Sequence, residues 1–156
     1  MKRVIIIMMT MVMIAICNCN ALSAQETIRK VDNKTFLVKK GSVRNLNKPA
    51  PKVYKTLGHD YEVINNSIVP DTFKKVLSKE RIKELKDKRI SILFYCLPSG
   101  KVESVTFVSG YEICLTLEEI SKLEDAFLAQ TFPIKASKGF NSKIRFAYGC
   151  QFRNLQ

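Results

Sequence analysis

Residues 90–152 carry the clearest alternation of apolar and polar positions, and they predict two strands joined by a tight turn, a helix and a final strand. In the first run, Ile90, Ile92, Phe94 and Cys96 share one face, and Ser91, Leu93, Tyr95 and Leu97 share the other. Both faces are largely apolar beyond Ser91, which marks a central strand covered on each side. Pro98-Ser99-Gly100-Lys101 supplies the turn, with a glycine free to take positive φ. Residues 102–109 return as a second strand, with Glu103, Val105 and Phe107 opposite Val102, Ser104, Thr106 and Val108. Thr116-Leu117-Glu118-Glu119 reads as a capping box, in which the threonine hydroxyl and the Glu119 carboxylate each bind the other's backbone amide. Leu117, Ile120, Leu123 and Phe127, flanked by Leu128, then form a helical stripe, with Lys122, Glu124 and Asp125 expected on the wet side. Pro133 ends this helix by Thr131, and residues 134–142 read as a loop. In 143–153, Ile144, Phe146, Tyr148, Cys150 and Phe152 alternate with Arg145, Ala147, Gly149, Gln151 and Arg153. That strand has one buried face, which the helix should cover, and its lateness in the chain places it at a sheet edge.

Upstream, Pro70-Asp71-Thr72 opens helical ground, with Asp71 or Thr72 as the cap and Phe73, Val76 and Leu77 as the apolar face. The stripe slips after Ser78, because Ile82 and Leu85 continue it out of phase, so two short helices broken near Ser78 are expected. Lys79, Arg81, Lys83, Lys86, Lys88 and Arg89 mingle there with Glu80, Glu84 and Asp87, as on a solvated face. Residues 25–69 read as a basic N-terminal arm. Thr35-Phe36-Leu37-Val38 and Tyr61-Glu62-Val63-Ile64 have the character of short strands, whereas Asn45, Asn47, Pro49 and Pro51 make 42–55 turn or loop. The domain proper is then α-β-β-α-β over 70–156: an α+β fold, a small antiparallel sheet packed on two helices.

This order of helix, strand, Pro-Ser-Gly-Lys turn, strand, capped helix, Phe132-Pro133 and alternating strand resembles the periplasmic C-terminal domain of the TonB energy-transducing family. The resemblance spans 70–156 and rests on 90–108 ("ISILFYCLPSGKVESVTFV"), 117–133 and 143–152. It implies a three-stranded antiparallel sheet against two helices, and a partner bound by strand addition. Transducers of that family also carry a membrane helix and a long Pro-rich spacer; here the corresponding stretch, Lys48 to Lys52, holds only Pro49 and Pro51. The chain is closer in pattern to small exported proteins of unassigned function, with a TonB-like C-terminal domain, from Gram-negative bacteria of the Bacteroides kind.

Compartment is set by the first residues. Lys2 and Arg3 precede an apolar run over 4–17 broken only by Thr10, and small and polar residues follow to Ala24. This is the layout of a secretory signal peptide over 1–24, and the run is short of the roughly 20 residues a bilayer crossing needs. The expected location is periplasmic or extracellular, with no stable membrane span. Lipoprotein anchoring is not expected, because Cys17 follows Ile16 and Cys19 follows Asn18, neither the small residue that lipidation favours. The net charge of +12, lowered by two once Lys2 and Arg3 are gone, points in that compartment to an envelope or outer-membrane protein or an anionic surface. Nucleic acid is not the expected partner, since Tyr95, Phe107, Phe146, Tyr148 and Phe152 fall on faces assigned mainly to the core.

No catalytic, cofactor or metal residue is singled out. His59 stands alone between Gly58 and Asp60, and Glu118, Glu119, Glu124 and Asp125 are helix cap and surface residues. Cys96, Cys114 and Cys150 remain beyond residue 24, without a Cys-x-x-Cys, so three buried thiols and one bond plus one thiol both fit. Cys96 and Cys150 can bond if their strands are neighbours in suitable register, and Cys114 can pair with either. The expectation is a non-enzymatic interaction module working through a sheet edge. The alternative is a small envelope enzyme with its site between the N-terminal arm and the sheet.

Overall fold

The computed structural model describes residues 26–48, 55–56, 61–64 and 67–155; the stretch 1–24 read as a signal peptide and His59 lie outside them. The elements are β1 (Thr27–Val31), β2 (Lys34–Lys39), β3 (Ser42–Asn45), β4 (Lys55–Thr56), β5 (Tyr61–Val63), α1 (Ile68–Val76), α2 (Lys79–Glu84), β6 (Arg89–Cys96), β7 (Val102–Val108), α3 (Leu117–Leu128), β8 (Ile134–Ala136) and β9 (Ile144–Gln151), closed by a 3-10 turn (Phe152–Leu155). The main sheet runs β1-β2-β3-β7-β6-β9-β4, antiparallel except for the short β4–β9 pairing, and β5 and β8 form a separate antiparallel pair.

The central hairpin follows from the alternation. β6 lies between β7 and β9, as its two apolar faces require, and the register sets Ile92 and Phe94 beside Phe107 and Val105 on one side and Tyr148 and Phe146 on the other. Register shifts at Tyr95/Cys96, where Glu103 is the additional residue of β7, so Val102 joins Cys96 on the helix-covered face instead of following Ser104 to the other. The turn is tight because Gly100 takes φ +84, and a Cβ there would collide with the Phe132 carbonyl. The same approach lets the Phe132 N–H donate to the Gly100 carbonyl at 3.0 Å.

Helices α1 and α3 pack on the sheet. Val69 and Phe73 of α1 and Ile120, Leu123 and Phe127 of α3 are buried there, and Ile82 of α2, which packs on the C-terminal turn, is buried as well. Phe94 is the hub: Phe127 and Phe132 meet it edge-on at 5.1 and 4.9 Å, and Phe146 stacks on it at 5.1 Å. Such ring pairs add about 0.5–1.5 kcal/mol each beyond area burial.

Several expectations are corrected. Residues 27–45 are three strands continuous with the main sheet, and β3 falls within the stretch read as loop. The asparagines do act as turn formers, but at the end of β3: Asn47 N–H donates to Asn45 Oδ1, and Thr35 N–H to Asn47 Oδ1, both at 2.8 Å. The three-stranded sheet is thus the middle of a seven-stranded one. Helix α1 begins before Pro70, with Ser67 at the cap position, because proline in a first turn lacks only an N–H that has no helical partner there. The Thr72 hydroxyl accordingly donates to the Ile68 carbonyl inside the helix, at 2.7 Å. Residues 134–136, read as loop, form β8. The break at Ser78 is present, with its hydroxyl accepting from the Arg81 amide at 3.1 Å.

Candidate functional site

The direction of single carbonyls fixes which backbone groups of β9 face outward. Arg145 C=O accepts from the Tyr61 hydroxyl at 2.9 Å, so it points away from β6. Phe152 N–H donates to Lys88 C=O at 3.3 Å, so the even-numbered positions point toward β6. Both backbone groups of a strand residue project to the same side, alternating along the strand. Ala147 and Gly149 therefore present their N–H and C=O groups to the outer side and Gln151 its N–H, while the Gln151 C=O opens the 3-10 turn that follows. There β4 pairs only with Ile144 and Arg145, and among the described residues no strand continues beyond it. Ala147 and Gly149 are exposed, and a Cβ built on Gly149 would meet nothing within 4 Å.

The opposite edge differs. Leu46 N–H donates to Thr35 C=O at 2.7 Å, which by the same alternation turns Ile28 and Lys30 of β1 outward. That edge carries exposed Arg29 and Lys30, the charged residues that discourage pairing. The β9 edge from Ala147 to Gln151 is uncharged, with Arg145 and Arg153 at its ends. The last strand, expected at the sheet edge, is second from it: β4 is the edge strand and covers Ile144 and Arg145, and among the described residues no strand pairs with β9 beyond them.

The other residues of interest serve the fold. Cys96 pairs in register with Ile144, and Cys150 with Ile90, at opposite ends of the two strands. They stand about 20 Å apart at roughly 3.3 Å per residue, beyond disulfide reach. All three cysteines are free thiols. Burial pushes Cys96 up to about 12, with Glu103 adding, and Cys150 up to about 11, with Cys114 adding. Neither is a nucleophile near neutral pH.

The capping box of α3 is complete: Glu119 N–H donates to Thr116 Oγ1 at 3.2 Å, and Thr116 N–H to Glu119 Oε2 at 2.8 Å. Arg81, read as part of a solvated face, reaches Glu119 at 2.6 Å and Glu84 at 2.9 Å and donates to the Cys114 carbonyl at 3.2 Å. Burial alone raises the Glu119 pKa, but the bonds from Arg81 and the Thr116 amide outweigh it and hold it below the ordinary value. Glu124, expected on the wet side, is 1% exposed. It accepts from Asn45 Nδ2 at 2.8 Å and lies 3.3 Å from Lys34 Nζ. Asp125 stays exposed and also meets Lys34, at 2.7 Å. A cleft of about 1060 Å³ opens between residues 84–91 and 108–114. Its lining mixes Lys88 and Arg89 with Asp87 and Glu112, so it selects no charge class.

Among the described residues no group of three or more His, Cys, Asp or Glu could hold a metal, and no helix is long and apolar enough to cross a membrane. Tyr95, Phe107, Phe146 and Phe152 are buried and Tyr148 is half-buried, so they form no stacking platform.

No protein-family model matches the sequence, and no curated protein matches it. The structure is similar to that of a DUF5043 family protein from Bacteroides uniformis ATCC 8492, with a TM-score of 0.61 and 13% identity over 82% of this chain and 86% of that one. The likeness is one of fold, a small α+β arrangement in which helices pack against an antiparallel sheet.

Proposed function

We propose that this chain is an exported, non-enzymatic interaction module that captures an extended segment of a partner protein by strand addition at the outer edge of β9. The observation that carries the reading is the set of five outward backbone groups, the N–H and C=O of Ala147 and Gly149 and the N–H of Gln151, next to small or uncharged side chains. Each new backbone hydrogen bond contributes about 0.5–1.5 kcal/mol net, so a segment pairing along this edge gains several kcal/mol before any side-chain contact. The order β6-β7-α3-β9 supports kinship with the TonB C-terminal domain, in which a partner strand is bound. The signal-like segment over 1–24 supports a periplasmic or extracellular location and an envelope or outer-membrane partner.

The test is capture from envelope extract with residues 25–156 as bait, comparing Ala147→Pro with Ile28→Pro. Both prolines remove an outward N–H and leave the ladder to the inner neighbour intact. Capture should be lost in Ala147→Pro and kept in Ile28→Pro. A natively folded Ala147→Pro that captures the same partner refutes the edge.

A further inference from the structure

We infer that the groove between the two short helices and the C-terminal turn binds a single-chain anionic amphiphile, with its carboxylate among Lys74, Lys79 and Lys83 and its alkyl chain over Ile82 and Leu155. The groove has a volume of about 470 Å³, and among the described residues those five line it. That volume suits one small ligand. Ile82 and Leu155 are buried and form an apolar floor, while the three exposed lysines stand around it.

The charge pattern argues for an anion. Lys79 and Lys83 lie four apart on α2, a spacing at which like charges repel. Lys74 comes from the last turn of α1 and brings a third ammonium to the same rim. Among the described residues no acid lines the groove, and none of the three lysines has an ion-pair partner. The large cleft at residues 84–91 and 108–114 lacks this character because its carboxylates offset its cations. Chemistry narrows the ligand further. Lysine stems extend the apolar floor while their heads stay in water, so the site is amphipathic from base to rim. A bare phosphate leaves the floor unmatched, and an uncharged alkane leaves the ammonium groups unmatched. A fatty-acid anion satisfies both.

The experiment titrates the mature chain, residues 25–156, with dodecanoate below its micelle-forming concentration, followed by displacement of a fluorescent fatty acid. Dodecanol, inorganic phosphate and vesicles of phosphatidylglycerol are parallel probes. Saturable displacement by dodecanoate is expected, with dodecanol and phosphate each at least about tenfold weaker. K74Q/K79Q/K83Q, confined to exposed positions, should weaken dodecanoate about tenfold, whereas K30Q/K101Q at distant exposed sites should not. Circular dichroism confirms that both variants fold. Equal affinity for dodecanol, unchanged binding by the triple variant, binding to vesicles alone, or no saturable binding overturns the inference.

Discussion

Replacing Lys34 with methionine isolates what fastens the N-terminal hairpin to α3. Lys34 Nζ donates to the Ser121 carbonyl at 2.7 Å and lies 3.3 Å from Glu124, whose carboxylate is buried and otherwise held only by Asn45. Removing one partner of a buried pair costs about 3–5 kcal/mol, because the remaining charge stays in low dielectric. The Lys34 side chain is 12% exposed, so some screening applies and about 2–4 kcal/mol is expected. In urea, at about 1.5–2 kcal/mol/M, the midpoint falls by about 1–2.7 M. The signature is rescue. Glu124→Gln keeps an acceptor for Asn45 but removes the charge, so K34M/E124Q should be more stable than K34M alone. Urea denaturation of the four proteins in the cycle, followed by circular dichroism, measures the coupling. Hydrogen exchange should show the amides of β1 and β2 opening in K34M while those of β6 and β9 remain protected. If K34M lies within about 0.5 kcal/mol of the parent, or the double variant is the least stable of the four, Glu124 is not held as a buried charge.

Thr116→Ala removes half of the capping box and should cost about 1 kcal/mol by thermal or urea unfolding. Gly100→Ala combines a strained positive φ with a collision at the Phe132 carbonyl and should cost at least about 2 kcal/mol, whereas Gly149→Ala, facing open space, should be neutral or slightly stabilising. Burial raises the folded pKa of Cys96 from 9.0 to about 12, so its contribution is fully present below pH 9 and is lost as pH rises toward 12. The urea midpoint of the parent should therefore fall more steeply than that of Cys96→Val between pH 8 and pH 10.5. The Glu119 pKa is lowered from 4.5, so its contribution is present above that value and lost as pH falls below it. Glu119→Gln should flatten the acid limb of the stability curve.

What was legible in the sequence was whatever a two-residue or helical period could encode. β6, β7 and β9 were readable because their buried faces are unbroken by charge, and Thr116 announced α3 through a motif of fixed spacing. Glu124 shows how chemical type can mask position. It follows Leu123 and lies four residues beyond Ile120, squarely on the buried stripe, and only its carboxylate suggested solvent. The partner that makes burial tolerable, Asn45, is 79 residues away. The same distance problem hid β1–β3. Their alternation is diluted by Arg29, Lys30, Lys39 and Arg44, which need no burial on an outer meander, while Phe36, Val43 and Asn45 carry the contacts. The candidate edge was only half legible. A final strand near the chain end suggested an edge, but which of its amides face outward depends on the Tyr61 and Lys88 bonds, and no local pattern reports those. The two edges of the sheet differ in chemistry for the same reason they differ in readability. β1 is charged, which obscures it as a strand and guards it against pairing, whereas β9 is clean in pattern and, among the described residues, has no strand partner on its outer side at Ala147 and Gly149.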